Sequence, residues 1–236
     1  DDVATGILVI DGNVQEGGIL TANTDNIIDV DDTNTPLIFT FQWQLGDDSS
    51  SFSNIDNENN KEFTIPSDQS YVNKFIRVTA VSEDNRGGTT SFISSSKLIE
   101  NVNDFPVFIS TPIEAATEDS EYVYTIKVSD EDLSGNIDLS ENITFTALTL
   151  PNFLTLNPID NNTATLTGIP LQENVGNNLV EIKVEDSSGA TATQQFTIQV
   201  FNVNDAPIFT STPITDAIED SEYVYTIKVS DEDLSG

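Results

Sequence analysis

Acidic side chains in this sequence fall into groups that repeat. Glu16 is followed by Asp29 and Asp31 and then by Asp84; Glu118 is followed by Asp130 and Asp132 and then by Asp186; a further pair stands at Asp231 and Asp233. The steps from 29 to 84 and from 130 to 186 are 55 and 56 residues, so the two series run in register. Grouped carboxylates and carbonyls are what calcium requires, because it takes six to eight oxygen ligands from one loop or from loops that converge. The chain has no cysteine and no histidine, so thiolate sites and the commonest zinc ligand are out of reach and any bound metal must accept oxygen. Asn103 with Asp104, and Asn204 with Asp205, bring further oxygens to the same places.

Distance then sorts the ligands. Glu118 lies 12 residues before Asp130, and a strand filling that gap would part them by up to ~40 Å at ~3.3 Å per residue. They cannot share one ion. Asp130, Asp132 and Asp186 end strand-like runs and are expected to converge at one end of a sandwich, where Asn103 and Asp104 arrive from a linker. Glu118 is expected to face the next junction, with Asn204, Asp205, Asp231 and Asp233, and Glu16 to face the junction containing Asp104. The ions would then lie between units.

A local alternative stays open. DEDLSGNIDLSE, 130 to 141, fits the 12-residue EF-hand loop, with Asp130, Asp132, Ser134, Gly135, Ile137, Asp138 and Glu141 at the expected positions. Its flanks read as strands, so this would be a calcium loop grafted on a sandwich. Solvated turn acids are the plainest alternative, since Asp and Ser bond nearby backbone in turns. That account leaves the clustering at matched places unexplained. Unpaired carboxylates a few ångströms apart raise one another's pKa, whereas a divalent ion reverses the sign, so calcium is expected to stiffen the linker.

Other chemistry is largely excluded. A net charge of −32 repels phosphate backbones and anionic lipid, which removes nucleic acid and direct membrane insertion from the expected partners. Without histidine or cysteine the usual nucleophile and base pairs are missing, and no G-x-S-x-G or phosphate-cradling glycine loop occurs. Two acids could in principle hydrolyse a glycoside, but an active site seldom recurs in every repeat of an array. No enzyme is expected. Nothing approaches the ~20 apolar residues of a membrane span, and residues 1–20 show no signal peptide, so an interior window of a longer chain is expected.

The elements that position these acids are repeated too. DFPVFISTPIEAATEDSEYVYTIKVSDEDLSG begins at 104 and returns, at 26 of 32 positions, from 205, an offset of 101 residues. Each copy follows the tripeptide NVN, and the proline two places after its first Asp rules out a continuing helix there. Residues 1–103 form a divergent first repeat, 104–204 a second, and 205–236 the start of a third, too short to bury a core. Within the second, EYVYTIKV, NITFTALTL, ATLTGI, NLVEIKVE and ATQQFTIQV are short β-rich runs, several alternating apolar with polar residues, parted by turn residues. About seven short strands in about 100 residues, with termini at opposite ends, predict an all-β fold: tandem immunoglobulin-like or cadherin-like β-sandwich domains in an elongated array. Trp43, Tyr122, Tyr124, Phe145 and Phe196 are expected to pack in the cores.

The quoted motifs, NVNDFP and NVNDAP, EDSEYVYTIKVSDED, LPNFLTLN, LTGIP and VEDSSGATATQQFTIQV, resemble the cadherin-like, dystroglycan-type repeats of large bacterial adhesins. The match covers residues 101–236. Residues 1–100 look like a related adhesin repeat, through EGGILTA, FQWQ and FIRVTAVSEDNRGG. The resemblance implies an extracellular, cell-surface stalk whose neighbouring repeats are joined through Ca2+. Cadherins proper carry an Asp-Arg-Glu motif near the base of each repeat; the corresponding stretch here is PLQENVG, with Gln172 and Glu173 as its substitutes. Two functional classes remain: a structural spacer, and a module that grips cell-surface carbohydrate or protein.

Overall fold

The computed structural model describes residues 3–30, 36–133 and 142–234, and it is all-β apart from two short 3-10 turns. The chain divides into two compact units. Unit 1 comprises Asp1–Asp104 with Glu131–Leu139, and unit 2 comprises Phe105–Asp130 with Ser140–Gly236.

Unit 1 is built from two sheets. The smaller runs β1 (Val9–Gly12), β2 (Ile19–Asn23) and β5 (Glu62–Thr64); the larger runs β4 (Ser53–Asn54), β3 (Ile38–Gly46), β6 (Phe75–Glu83) and β7 (Thr89–Ile93), with β8 (Lys97–Leu98) also on β6. β3 and β6 pair antiparallel over nine residues, and the alternation of FIRVTAVSE sends Ile76, Val78 and Ala80 inward. Burying such a face is the main drive for the fold. Trp43 is fully buried on β3, its ring stacked on Phe63 at 5.4 Å and its indole N–H donating to the Asn60 carbonyl at 3.0 Å.

Unit 2 repeats the plan with longer strands. One sheet runs β10 (Ala115–Thr117), β16 (Thr191–Phe201), β15 (Gly176–Glu185) and β12 (Thr144–Thr149). The other runs β13 (Leu154–Asp160), β14 (Thr163–Gly168), β11 (Tyr122–Ser129) and β9 (Val107–Phe108). β15 and β16 pair antiparallel over ten residues, while β10 joins β16 in parallel. β11 alternates strictly, burying Tyr122, Tyr124, Ile126 and Val128. Tyr124 meets Phe196 edge to face at 5.7 Å, and Phe145 is also buried. Tyr122 donates its hydroxyl to the Ile113 carbonyl at 2.7 Å, and burial, followed by the neighbouring Tyr124, pushes that phenol well above its ordinary pKa. These aromatics sit in the cores, as the alternation predicted.

The second copy of EYVYTIKVS, at 222–230, behaves differently from the first, at 121–129. In place of an eight-residue strand it contributes only β18 (Val229–Ser230), paired with β17 (Ile208–Phe209), and Tyr223, Val224 and Ile227 are exposed. β11 is held by β14 on one edge and β9 on the other; β18 pairs with β17 alone among the described strands. Strand propensity needs a partner to be realised.

Candidate metal centre

Among the described residues, one group of carboxylates in unit 1 lies close enough to share an ion, and acids of unit 2 are held by matching backbone bonds. In unit 1, the EGG turn places Glu16: Gly17 takes a φ of 67°, and a Cβ on Gly18 would lie 2.1 Å from the Asn13 carbonyl oxygen. Only glycine fits the Gly18 position without distortion. The Glu16 N–H donates to the Glu100 carbonyl at 3.0 Å and the Gly17 N–H to the Pro66 carbonyl at 3.1 Å. In unit 2 the Glu118 and Asp119 N–H groups make the same two bonds, to Phe201 at 3.0 Å and Pro170 at 2.9 Å, with Asp119 in Gly17's left-handed conformation at φ 59°. The backbone thus equates Glu16 with Glu118, both of them buried.

Around Glu16, single carboxylate oxygens of Glu16, Asp104 and Glu131 all lie within 4.8 Å of one another. Asp132 closes the group. Its Oδ2 accepts the Asp104 N–H at 2.8 Å, and its Oδ1 accepts from the Asn101 amide at 2.7 Å and the Gln69 amide at 3.2 Å. In unit 2, Asp233 accepts the Asp205 N–H at 2.8 Å and the Asn202 amide at 2.8 Å, while Glu118 accepts the Val203 N–H at 3.1 Å. The Asn103 and Asn204 amides bond the carbonyls of Asp104 and Asp205 at 2.7 and 2.8 Å. Asp231 Oδ1 accepts the Asp233 N–H at 3.1 Å.

Asp29 and Asp84 line one small cavity of about 130 Å³ with Val3, Ala4 and Leu37, apart from Glu16, as the intervening strand requires. Asp31 lies outside the described residues, as do 134–141 of the EF-hand-like stretch. Asp84 Oδ1 takes the N–H groups of Arg86 and Gly88 at 2.7 and 2.8 Å, and Asp186 Oδ1 takes that of Ala190 at 2.8 Å. Those two oxygens shape turns, the plainer role open to any turn acid. Asp130 and Asp186 are buried at the ends of β11 and β15 in unit 2. Glu173 accepts from the Asn152 amide at 3.0 Å.

Sequence reading missed Glu131, Gln69, Asn101 and Asn202. A signal for two of them exists, since Asn101 and Asn202 open the repeated NVN tripeptide. Gln69 stands 53 residues after Glu16 and Gln172 stands 54 after Glu118, a near-equal spacing that only the structure makes legible.

The donors suit a hard divalent cation: carboxylates and amides, with no sulfur or imidazole in the chain. Asp205 Oδ2 is buried without a hydrogen-bond partner, which leaves a carboxylate oxygen with nothing to offset its desolvation. Glu16, Asp104, Glu131 and Asp132 would hold such an ion in unit 1, and Glu118, Asp205 and Asp233 in unit 2.

The electrostatics carry a pH prediction. Burial first, then the charge of Asp104, with Asp132 and Glu131 adding, pushes the Glu16 carboxyl above its ordinary 4.5, while the Val102 N–H works the other way. A carboxyl raised on folding favours the folded state when protonated, so its contribution is full below 4.5 and is lost as pH rises through the raised value. In chelator, the unfolding midpoint should therefore drop as pH rises from 4.5 through the raised value. Glu16→Gln should flatten that part of the slope; an unaltered slope in this variant would assign it to charge elsewhere.

Residues 105–201 match the family model described as "Putative Ig domain". No curated protein matches the chain. Among solved structures, the extracellular cadherin domains 3–6 of protocadherin gamma B2 align at 16% identity over 98% of this chain and 54% of that one, with a TM-score of 0.51. The PcdhgB3 EC1–4 fragment aligns at 14% identity over 86% and 50%, with a TM-score of 0.53. An endo-fucoidan hydrolase of glycoside hydrolase family 107 aligns at 17% identity over 84% and 28%, with a TM-score of 0.36. The chain spans about half the length, or less, of each of these structures. By fold, the chain is a cadherin-like, immunoglobulin-like β-sandwich repeat protein.

Proposed function

We propose that this chain is a calcium-dependent structural spacer, a set of stalk repeats in an extracellular adhesin at a bacterial cell surface. The repeats are 1–103, 104–204 and the start of a third at 205–236, and their partners are their own neighbours in the chain. One observation carries the reading. The unit 1 cluster draws on the first repeat for Glu16, on the linker for Asn101 and Asp104, and on the second repeat for Glu131 and Asp132. A cation held there ties one repeat to the next through three stretches of sequence. The same pattern in unit 2 joins Glu118, Asn202, Asp205 and Asp233.

Like charges gathered in such a cluster repel one another until a cation arrives. Extracellular calcium is millimolar, and affinities of that order suit extracellular modules. Titration calorimetry on the whole chain should show calcium binding that Glu16→Gln and Asp104→Asn weaken. Small-angle scattering should show a stiffer molecule in calcium than in chelator. Absence of binding at millimolar calcium would end the spacer reading. Calcium-dependent capture of an oligosaccharide on a glycan array would favour a carbohydrate-gripping module instead.

A further inference from the structure

A glutamine stands inside each acidic cluster, at the same place in both units. The Gln69 amide nitrogen lies 3.3 Å from Glu16 Oε2, 3.2 Å from Asp104 Oδ2 and 3.2 Å from Asp132 Oδ1. Its own oxygen, Oε1, is buried with no hydrogen-bond partner. Gln172 would donate to Asn202 Oδ1 at 2.7 Å and to Glu118 Oε1 and Oε2 at 2.9 and 3.2 Å once its nitrogen is turned to the cluster. Turned the other way, its oxygen would face three oxygens at those distances with no proton between them. A cation in their midst would reconcile such an arrangement. Asp205 Oδ2, buried and without a donor, points to the same missing charge by a separate route.

A carboxamide carries a donor end and an acceptor end on one planar group, and half a turn about its last torsion exchanges them with almost no change of shape. We propose that Gln69 and Gln172 are two-way amide switches of the cation sites. With no cation bound, the nitrogen faces inward and its N–H groups hold the carboxylates together. With a divalent cation bound, the amide turns and offers its oxygen. This rests on the spacer reading, and it gives that reading a regulation: the clusters stay assembled when calcium is scarce, and calcium must displace the amide hydrogen bonds in order to bind. A glutamate in the same place could do only half of this, since it lacks the donor end and adds a negative charge.

The test uses the whole chain with Gln69→Glu, Gln172→Glu and the double variant. In chelator, each variant should unfold at a lower temperature than the unmodified chain. In millimolar calcium the deficit should vanish, and titration calorimetry should give a Kd about tenfold tighter for each altered site, because one more carboxylate joins it. A deficit equal in chelator and in calcium, or a Kd that does not tighten, would overturn the switch. Proton exchange of the side-chain NH2 groups reads the unmodified chain directly. Two glutamine pairs should exchange slowly in chelator and fast once calcium is added, and rates indifferent to calcium would also overturn it. If calcium binds normally while these readouts stay flat, the switch alone fails; if neither form binds calcium, the spacer reading fails with it.

Discussion

Trp43→Ala should cost unit 1 about 3–5 kcal/mol of stability, the range for truncating a large buried aromatic. The ring is fully buried, stacks on Phe63 at 5.4 Å and satisfies its N–H on Asn60 at 3.0 Å. It sits in the middle of β3, whose Trp43 backbone also bonds outward to Glu58 and Ile55 at 2.9 and 3.0 Å. Alanine would leave a cavity walled by β5 and β6 and strand the Asn60 carbonyl. Against a typical domain stability of about 5–15 kcal/mol, such a loss removes about a fifth or more. Scanning calorimetry should show one transition moving down by tens of degrees and another staying put, since the core of unit 2 contains no part of this cluster. Trp43→Phe, which keeps much of the volume, should lose less than half as much. A shift of only a few degrees for the alanine variant would mean that the Trp43 site collapses around the gap.

Calcium should produce the second large effect. A cation at one hundred times its Kd that binds only the folded chain adds about 2.7 kcal/mol. For domains of about 100 residues each kcal/mol moves the midpoint by about 4–8 °C, so the expected rise is about 10–20 °C. General screening of a chain with a net charge of −32 would also raise the midpoint, and the two causes separate cleanly. Sodium chloride at matched ionic strength screens as well as calcium but cannot bridge carboxylates. Asp104→Asn and Asp132→Asn remove a ligand and at the same time relieve repulsion. Asp104→Asn should raise stability in chelator, and both should shrink the response to calcium. Equal shifts from sodium and calcium, or a full calcium response in both variants, would assign the effect to screening.

Much of the fold was legible because alternation is a local signal. The run YVYTIKVS announces its inward residues two apart, and Trp43, Tyr124 and Phe196 sit where that pattern places them. Pairing is not local, and the second copy of the same run shows it: eight strand residues in one place become two in another, where β18 pairs with β17 alone among the described strands. The cluster divides along the same line. Carboxylates in matched groups identify Glu16 with Asp104 and Asp132, since acids so close must share something. Gln69 belongs to the same cluster but is a neutral residue in a loop, and neither its charge nor its period marks it. Glu131 follows the end of β11, where alternation no longer says which way a side chain turns. Asp84 and Asp186 each give one oxygen to the N–H groups of their own turn, a role open to any acid at a strand end.

The parallel pairing of β10 with β16 has a mechanical consequence. Ala115, Ala116 and Thr117 lie beside Gln199, Val200 and Phe201, with flanking bonds from Gln199 to Glu114 at 2.9 Å and from Glu118 to Phe201 at 3.0 Å. Tension that enters at residue 105 and leaves at residue 201 pulls the two strands in opposite directions along a common axis. The hydrogen bonds are then loaded in shear, all together, whereas a hairpin tugged at its open end would be unzipped one bond at a time. A short patch of three residue pairs thereby acts as a latch against extension, and it ends at Glu118, the residue that anchors the acidic cluster of the same unit.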